Sequence, residues 1–226
     1  MKQIPLAIGP VPVFTFDNFL PGANGPALAQ LLALTPGAPP VFLWGPAGSG
    51  KTHALRALAQ RWQAAGAQVG WYDAETVLPW ELPSQPSLLL LDDCHRFDEG
   101  QQRAAFALFV EAASHGLAIV ATGSAPPTDL ALRDDLRSRL GWGPTFALHP
   151  LSEPEMRAAL RREADRRGIM MGDEVVEYLL TRFARDLKHL MALLQRLDDF
   201  SLAVKRQAVT VPMLKQMLAD EEESNA

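Results

Sequence analysis

The sequence predicts an α/β fold, a parallel sheet flanked by helices, followed by a smaller all-helical domain. Three observations predict it. Short apolar runs alternate with helix-period segments between Val41 and Leu148. The first of those runs leads straight into a glycine-rich loop that opens a helix. After Pro150 the strand-like runs stop and only helical patterning remains.

The elements follow in order. Residues 1–12 are Pro-containing and lie outside the core pattern, so they read as a tail, and residues 13–150 as the α/β domain. Asn18 to Pro26 is broken by Pro and Gly, and Ala27–Leu34 reads as a short helix before the loop Thr35–Pro40. Val41–Trp44 is the first strand, Lys51–Ala65 a helix with Ala54, Leu55, Leu58, Ala59 and Trp62 on one face, and Val69–Tyr72 the second strand. Leu88–Leu91 is the third strand, Gly100–Ser114 a helix, Leu117–Ala121 the fourth strand, Leu130–Leu140 short helices, and Thr145–Leu148 the fifth strand. In the second domain, residues 151–219, Ser152 caps a helix with Pro154 and acids in its first turn. Helices are expected over Glu153–Arg167, Asp173–Phe183, Asp186–Phe200 and Thr210–Leu218, and residues 220–226 form an acidic tail.

Composition narrows the function classes. With 226 residues, 48% of them hydrophobic and 21% charged, the chain has ample material for a core. Its single cysteine, Cys94, rules out an internal disulfide and fits a cytoplasmic location. No apolar run reaches the length of a membrane span, and no signal pattern opens the chain. The formal charge of −5 argues against a broad, non-specific grip on nucleic acid, which draws its affinity from Lys and Arg. Contact with DNA is therefore expected to be local or borrowed from a partner.

The chemistry is concentrated in Gly45-Pro46-Ala47-Gly48-Ser49-Gly50-Lys51-Thr52, which fits the phosphate-loop pattern G-x-x-x-x-G-K-[ST]. Glycines let successive N–H groups point inward at a nucleotide's phosphates, and the following helix adds its positive end. Lys51 would reach the β- and γ-phosphates and Thr52 would hold Mg²⁺. His53, next along, reads as a packing residue beneath the loop. Leu88–Leu91 ends in Asp92-Asp93, where Asp92 would belong to the Mg²⁺ shell and Asp93 could orient or deprotonate the attacking water. The fourth strand would lie beside that one and present Thr122 or Ser124 to the γ-phosphate. Cys94 with His95 is too small a set for a metal site, the five tryptophans read as core residues, and Arg161, Arg162, Arg166 and Arg167 form a basic face open to solvent.

Taken together, Phe14-Thr15-Phe16-Asp17-Asn18-Phe19, Gly45–His53, Leu89–Asp93, Thr122–Pro127, Leu136–Leu140 and Arg185-Asp186-Leu187 resemble the AAA+ ATPases of the replication initiator DnaA, over about residues 14–219. The resemblance implies an AAA+ nucleotide-binding domain followed by a helical lid, with ADP or ATP and Mg²⁺ as ligands. It implies that Phe16 and Asn18 lie near the adenine, and that Ser124 stands at a sensor position where the family usually has Asp. It also implies that Arg139 is an arginine finger offered to a neighbour's nucleotide and that Arg185 is the lid arginine. The lack of a basic DNA-binding module after the lid makes the chain look like a regulatory homologue that acts on the initiator rather than on origins. Gln3-Ile4-Pro5-Leu6-Ala7-Ile8 resembles the peptide by which such homologues dock on the replicative sliding clamp, with Gln3 in a polar pocket and Leu6 and Ile8 in an apolar one. The expected partners are the initiator, the clamp, DNA through the clamp and a second copy of the chain, with no membrane. The rival readings are an autonomous AAA+ ATPase of initiator or helicase-loader type, a small-metabolite kinase, and an adaptor without catalytic effect.

Overall fold

A computed structural model describes residues 14–183, 187–203 and 208–224. Contacts divide the chain into two compact units, Met1–His149 and Pro150–Ala226.

The first unit is built on five strands, β1 (Val41–Trp44), β2 (Gln68–Tyr72), β3 (Pro86–Leu91), β4 (Ala118–Gly123) and β5 (Thr145–Ala147). All pair in parallel, in the order β2-β3-β4-β1-β5. Helices α1 (Gly25–Leu32), α2 (Lys51–Ala64), α3 (Glu99–Ser114) and α4 (Asp134–Leu140) connect and cover them. Because side chains alternate across a strand, each strand feeds two cores. Val41, Leu43, Leu88, Leu90, Ala118 and Val120 pack with Leu31, Leu55 and Leu58 of α1 and α2. Phe42, Leu89, Leu91, Ile119 and Ala121 pack with Leu108, Phe109, Leu136 and Leu140 of α3 and α4. A sheet buried on both faces needs uninterrupted apolar strands, and the four leucines Leu88 to Leu91 are all fully buried. Removing a ring such as Phe42, which is sealed from solvent, costs about 3–5 kcal/mol in cores of this kind.

Several element boundaries differ by a few residues from those read in the sequence, and three of the differences have a structural account. Strand β4 continues through Thr122 and Gly123, because they pair with Leu43 and Trp44 of β1. The region Leu130–Leu140 holds one α-helix, α4, preceded by a 3-10 turn at Pro127–Asp129. Helix α3 starts at Glu99, where Asp98 accepts the Gln101 N–H at 2.8 Å and the Gln101 side chain accepts the Asp98 N–H at 3.1 Å.

The second unit contains α5 (Glu153–Arg167), α6 (Asp173–Arg182), α7 (Leu187–Ala203) and α8 (Val211–Ser224). It is helical apart from a two-residue parallel ladder, β6 (Met170–Met171) on β7 (Ala208–Val209). Glu155 accepts both the Ser152 N–H and the Ser152 hydroxyl, at 2.7 and 2.6 Å, and fixes the start of α5. Gly168, in the left-handed region at φ 70°, ends it. Leu160, Val175, Val176, Leu179, Leu190, Leu194, Leu197 and Leu214 form its core. The face of α5 that carries Arg161, Arg162 and Arg166 is exposed, as read, but much of its charge is paired. Arg161 pairs with Asp173, and Arg166 and Arg167 both pair with Glu163, with Arg167 also bonding Gln195. Helix α8 runs on to Ser224, past the point where the sequence reading ends it.

Candidate functional site: a phosphate-loop cradle

The cradle forms where β1 ends. The Gly45 N–H donates to Gly123 O at 3.2 Å, and the Leu148 N–H donates to Trp44 O at 2.6 Å, so neighbouring strand ends close on the loop from both sides. A Cβ at Gly45 would stand 2.2 Å from Leu148 O, so no other residue fits that approach. The chain then turns through Pro46–Ser49 (Ser49 N–H to Pro46 O, 3.3 Å) and reaches Gly50, whose φ of 95° starts α2 without a side-chain cap. The first N–H groups of α2 therefore face the loop's concave side, with the helix dipole behind them.

Lys51 is buried, and its ammonium donates to Gly45 O at 2.9 Å and Pro46 O at 3.1 Å, with Asp93 Oδ1 3.8 Å away. A buried cation held largely by neutral carbonyls is well matched to an anion arriving in the loop.

Strand alternation brings the acids to the same place. Asp92 and Thr122 continue the sheet face on which Leu88, Leu90, Ala118 and Val120 lie, the face covered by α2. Asp92 Oδ2 accepts the Thr52 hydroxyl at 2.8 Å and Asp92 Oδ1 accepts the Thr122 hydroxyl at 2.7 Å. Burial pushes the Asp92 carboxyl above its ordinary pKa, while these two hydrogen bonds work against the rise. Asp93, in the left-handed region at φ 50°, turns away from the strand and donates its N–H to Thr122 Oγ1 at 2.7 Å. Thr122 thus joins both acids, and Ser124 lies exposed one residue beyond the strand.

Orphaned groups show how the cradle fits a nucleotide: the Ser49 hydroxyl can donate to a phosphate oxygen, whereas Asp93 Oδ1 is an acceptor and suits a donor such as water. Among the described residues, two buried side-chain polar atoms lack a hydrogen-bond partner, Ser49 Oγ and Asp93 Oδ1, and both belong to this site. For Mg²⁺ the protein offers Thr52 and Asp92. Among the described residues no group of three or more His, Cys, Asp or Glu could hold a metal ion. That donor set suits an ion that takes one or two protein ligands and completes its shell with phosphate oxygens and water.

The segment leading into the fold is pinned to the back of the loop. His53 Nε2 lies 3.1 Å from Thr15 O and 3.0 Å from Asn18 Oδ1, and its ring meets Phe14 and Phe19 edge to face. Burial lowers the His53 pKa, partly offset by the contact with Thr15 O. Phe19 is buried and Phe16 half-buried against the α1–α2 core. Cys94 is buried beside Leu91 O, whereas His95, next to it, is exposed. Arg139, in the last turn of α4, makes no hydrogen bond to the loop; its guanidinium lies 3.8 Å from the centroid of the Trp142 ring. Trp142 is 59% exposed, unlike the core role expected of it. Gln3, Ile4, Pro5, Leu6, Ala7, Ile8 and Arg185 lie outside the described residues. The joint contact of Thr122 with Asp92 and Asp93 is the feature that sequence reasoning missed; a hydroxyl at the end of an apolar strand was its only sign.

A phosphate loop at the end of parallel strand β1, an acid pair at the end of β3 with β4 between them, and a helical second unit define an AAA+ P-loop protein, an αβα domain with a lid. Residues 11–78 match the bacterial DnaA ATPase domain, and residues 153–218 match the lid domain of Hda. Each match spans less than a third of the chain, which is thus similar to the DnaA ATPase domain in its first unit and to the Hda lid in its second. Among solved structures, domain III of the Thermotoga maritima replication initiation protein DnaA is similar, with a TM-score of 0.74 and 22% identity, covering 93% of this chain and 97% of that one. AMPPCP-bound DnaA from Aquifex aeolicus has a TM-score of 0.69 and 19% identity, covering 94% and 71% respectively. The Thermotoga maritima RuvB Holliday junction branch migration motor has a TM-score of 0.65 and 18% identity, covering 91% and 71%. Identities this low speak to the fold. Among the described residues, no helix is long and apolar enough to cross a membrane.

Proposed function

We propose that this protein is a negative regulator of chromosomal replication initiation that binds an adenine nucleotide and stimulates hydrolysis of ATP held by the initiator DnaA. The observation that carries the proposal is Arg139. Among the described residues, Arg137 in α4 pairs with Asp134 and Arg133 just before the helix pairs with Asp135, whereas Arg139 has no ion pair and rests on an exposed indole. The Hda-type lid supports the choice of a regulator.

In the proposed reaction Arg139 enters the initiator's site. Water attacks the γ-phosphorus, the bond from that phosphorus to the β–γ bridging oxygen breaks, and ADP and phosphate result. The guanidinium donates hydrogen bonds to the γ-phosphoryl oxygens as charge redistributes over them. Arginine fingers supplied in trans contribute about 10³–10⁵ in rate. This chain's own nucleotide, ADP by resemblance, lies on the amides of Gly45–Thr52, with Lys51 on the phosphates and Phe16, Asn18 and His53 toward the base. Thr52 and Asp92 hold Mg²⁺, whose part is to neutralise phosphate charge. By resemblance, Arg185 would be the lid arginine. Gln3–Ile8 docks on the sliding clamp, which supplies the localisation on DNA that a net charge of −5 does not.

A second reading has an observation in its favour. Lys51, Thr52, Asp92, Asp93 and Thr122 form a connected network, the equipment of an autonomous ATPase of initiator or helicase-loader type, with Asp93 activating water. One reconstitution separates the two. Initiator preloaded with ATP is followed with this chain, with and without clamp on DNA. Hydrolysis accelerated by the wild-type chain and abolished by Arg139→Ala supports the regulator. Turnover of free ATP by this chain alone, with no effect on initiator-bound ATP, supports the ATPase.

A further inference from the structure

We propose that Trp142 is a positioning residue for Arg139, an aromatic platform that holds the guanidinium outward and un-neutralised in the pose in which it meets the initiator's nucleotide. This rests on the reading of Arg139 as a finger acting in trans.

The contact is specific. Arg139 Cζ lies 3.8 Å from the Trp142 ring centroid, well inside the range over which a guanidinium is attracted to an indole face. Trp142 remains 59% exposed, so burial of its own surface does not explain its place. The other arginines of this segment are held by carboxylates, Arg133 by Asp135 at 2.9 Å and Arg137 by Asp134 at 2.5 Å. A carboxylate on Arg139 would cancel the charge that phosphoryl transfer calls for, and that pair would have to break at each encounter. An indole face orders the side chain while leaving the in-plane N–H donors free for phosphoryl oxygens. Without it, the long side chain would order itself only on docking, with an entropy loss at each event.

The platform is fixed to the scaffold on both sides. On one side the turn of α4 runs on, with Gly141 N–H to Arg137 O at 3.2 Å and Trp142 N–H to Arg139 O at 3.2 Å, above the fully buried Leu136 and Leu140. On the other, Gly143 lies so close to the chain that an added Cβ would stand 1.9 Å from Pro40 O. The Phe42 N–H also donates to Pro144 O at 3.1 Å. Trp142 is therefore held between α4 and the start of β1.

The test uses full-length Trp142→Phe, Trp142→Leu and Arg139→Ala chains in the initiator-bound ATP assay, titrated so that half-saturating concentration and maximal rate separate. Trp142→Leu should lower the maximal rate about 2- to 30-fold with little change in half-saturation, and Trp142→Phe should fall between it and wild type. An unchanged maximal rate for Trp142→Leu overturns the proposal. So does a loss confined to half-saturation, which would make Trp142 a docking contact. The indole N–H resonance of Trp142, assigned by its loss in Trp142→Phe, should shift in Arg139→Gln; an unmoved resonance shows that the contact does not exist in solution. Full stimulation by Arg139→Ala would remove the finger itself, a result distinct from failure of the Trp142 series alone.

Discussion

The Thr122 hydroxyl donates to Asp92 Oδ1 at 2.7 Å, and Thr122 Oγ1 accepts the Asp93 N–H at 2.7 Å. One fully buried side chain on β4 thereby fixes both acids at the end of β3. Thr122→Val keeps the shape but leaves Asp92 with one hydrogen bond fewer and a backbone donor unpaired. The nucleotide-free protein should lose about 1–3 kcal/mol of stability, since buried polar groups left without partners carry that cost. Urea denaturation measures it, and an unchanged midpoint would show that Thr122 does not hold the pair.

Gly143→Ala tests the close approach beside the arginine platform. Its Cβ would collide with Pro40 O at 1.9 Å, and both sides of that contact are backbone. A loss of about 1–3 kcal/mol is expected, as for other overpacked sites, and thermal unfolding of the variant checks it. Wild-type stability would mean that the loop gives way freely.

His53 should titrate below 6.5, because burial disfavours its charged form. The sign follows from linkage. The unfolded chain binds the proton at higher pH than the folded one, so the contribution of His53 to stability is present above about pH 6.5 and declines as pH falls toward the folded pKa. Proton NMR titration of the His53 ring measures the value; a pKa at or above 6.5 contradicts the placement.

Glu163 gives the opposite kind of probe in the second unit. The hydrogen bond from Arg166, with Arg167 adding to it, holds its carboxyl down at about 2, against an ordinary 4.5. Stability from this group is complete above about pH 4.5 and disappears as pH falls toward 2. Wild type should therefore be more stable than Glu163→Gln at neutral pH, with the gap closing across that window. A gap that stays constant with pH would show that the charge contributes nothing.

Much of this molecule was readable in the chain because the relevant physics is local. Val41–Trp44 is an apolar run of strand length, followed at once by the loop and by Lys51–Ala64 with helical spacing, so both elements and the cradle between them follow from neighbouring residues. The acid pair was legible for the same reason. What could not be read depends on partners far apart in sequence. Thr122 matters because sheet order brings β4 beside β3, some thirty residues earlier. The charges of Arg161 and Arg167 on α5 read as unpartnered because Asp173 and Gln195, 12 and 28 residues further on, reach them only in the fold. Trp142 read as a core residue because its identity says apolar, while its exposure is set by Gly143 packed on Pro40, about a hundred residues away. The ladder of Met170–Met171 with Ala208–Val209 is too short to carry a periodic signal.

The central claim is that the main-chain amides of Gly45–Thr52, with Lys51, grip the phosphates of an adenine nucleotide. Isothermal titration of the full chain with ADP in magnesium buffer tests it most directly. Single-site binding that disappears in Lys51→Ala is the predicted result. Absence of any heat with ADP, or undiminished binding by Lys51→Ala, would contradict the account.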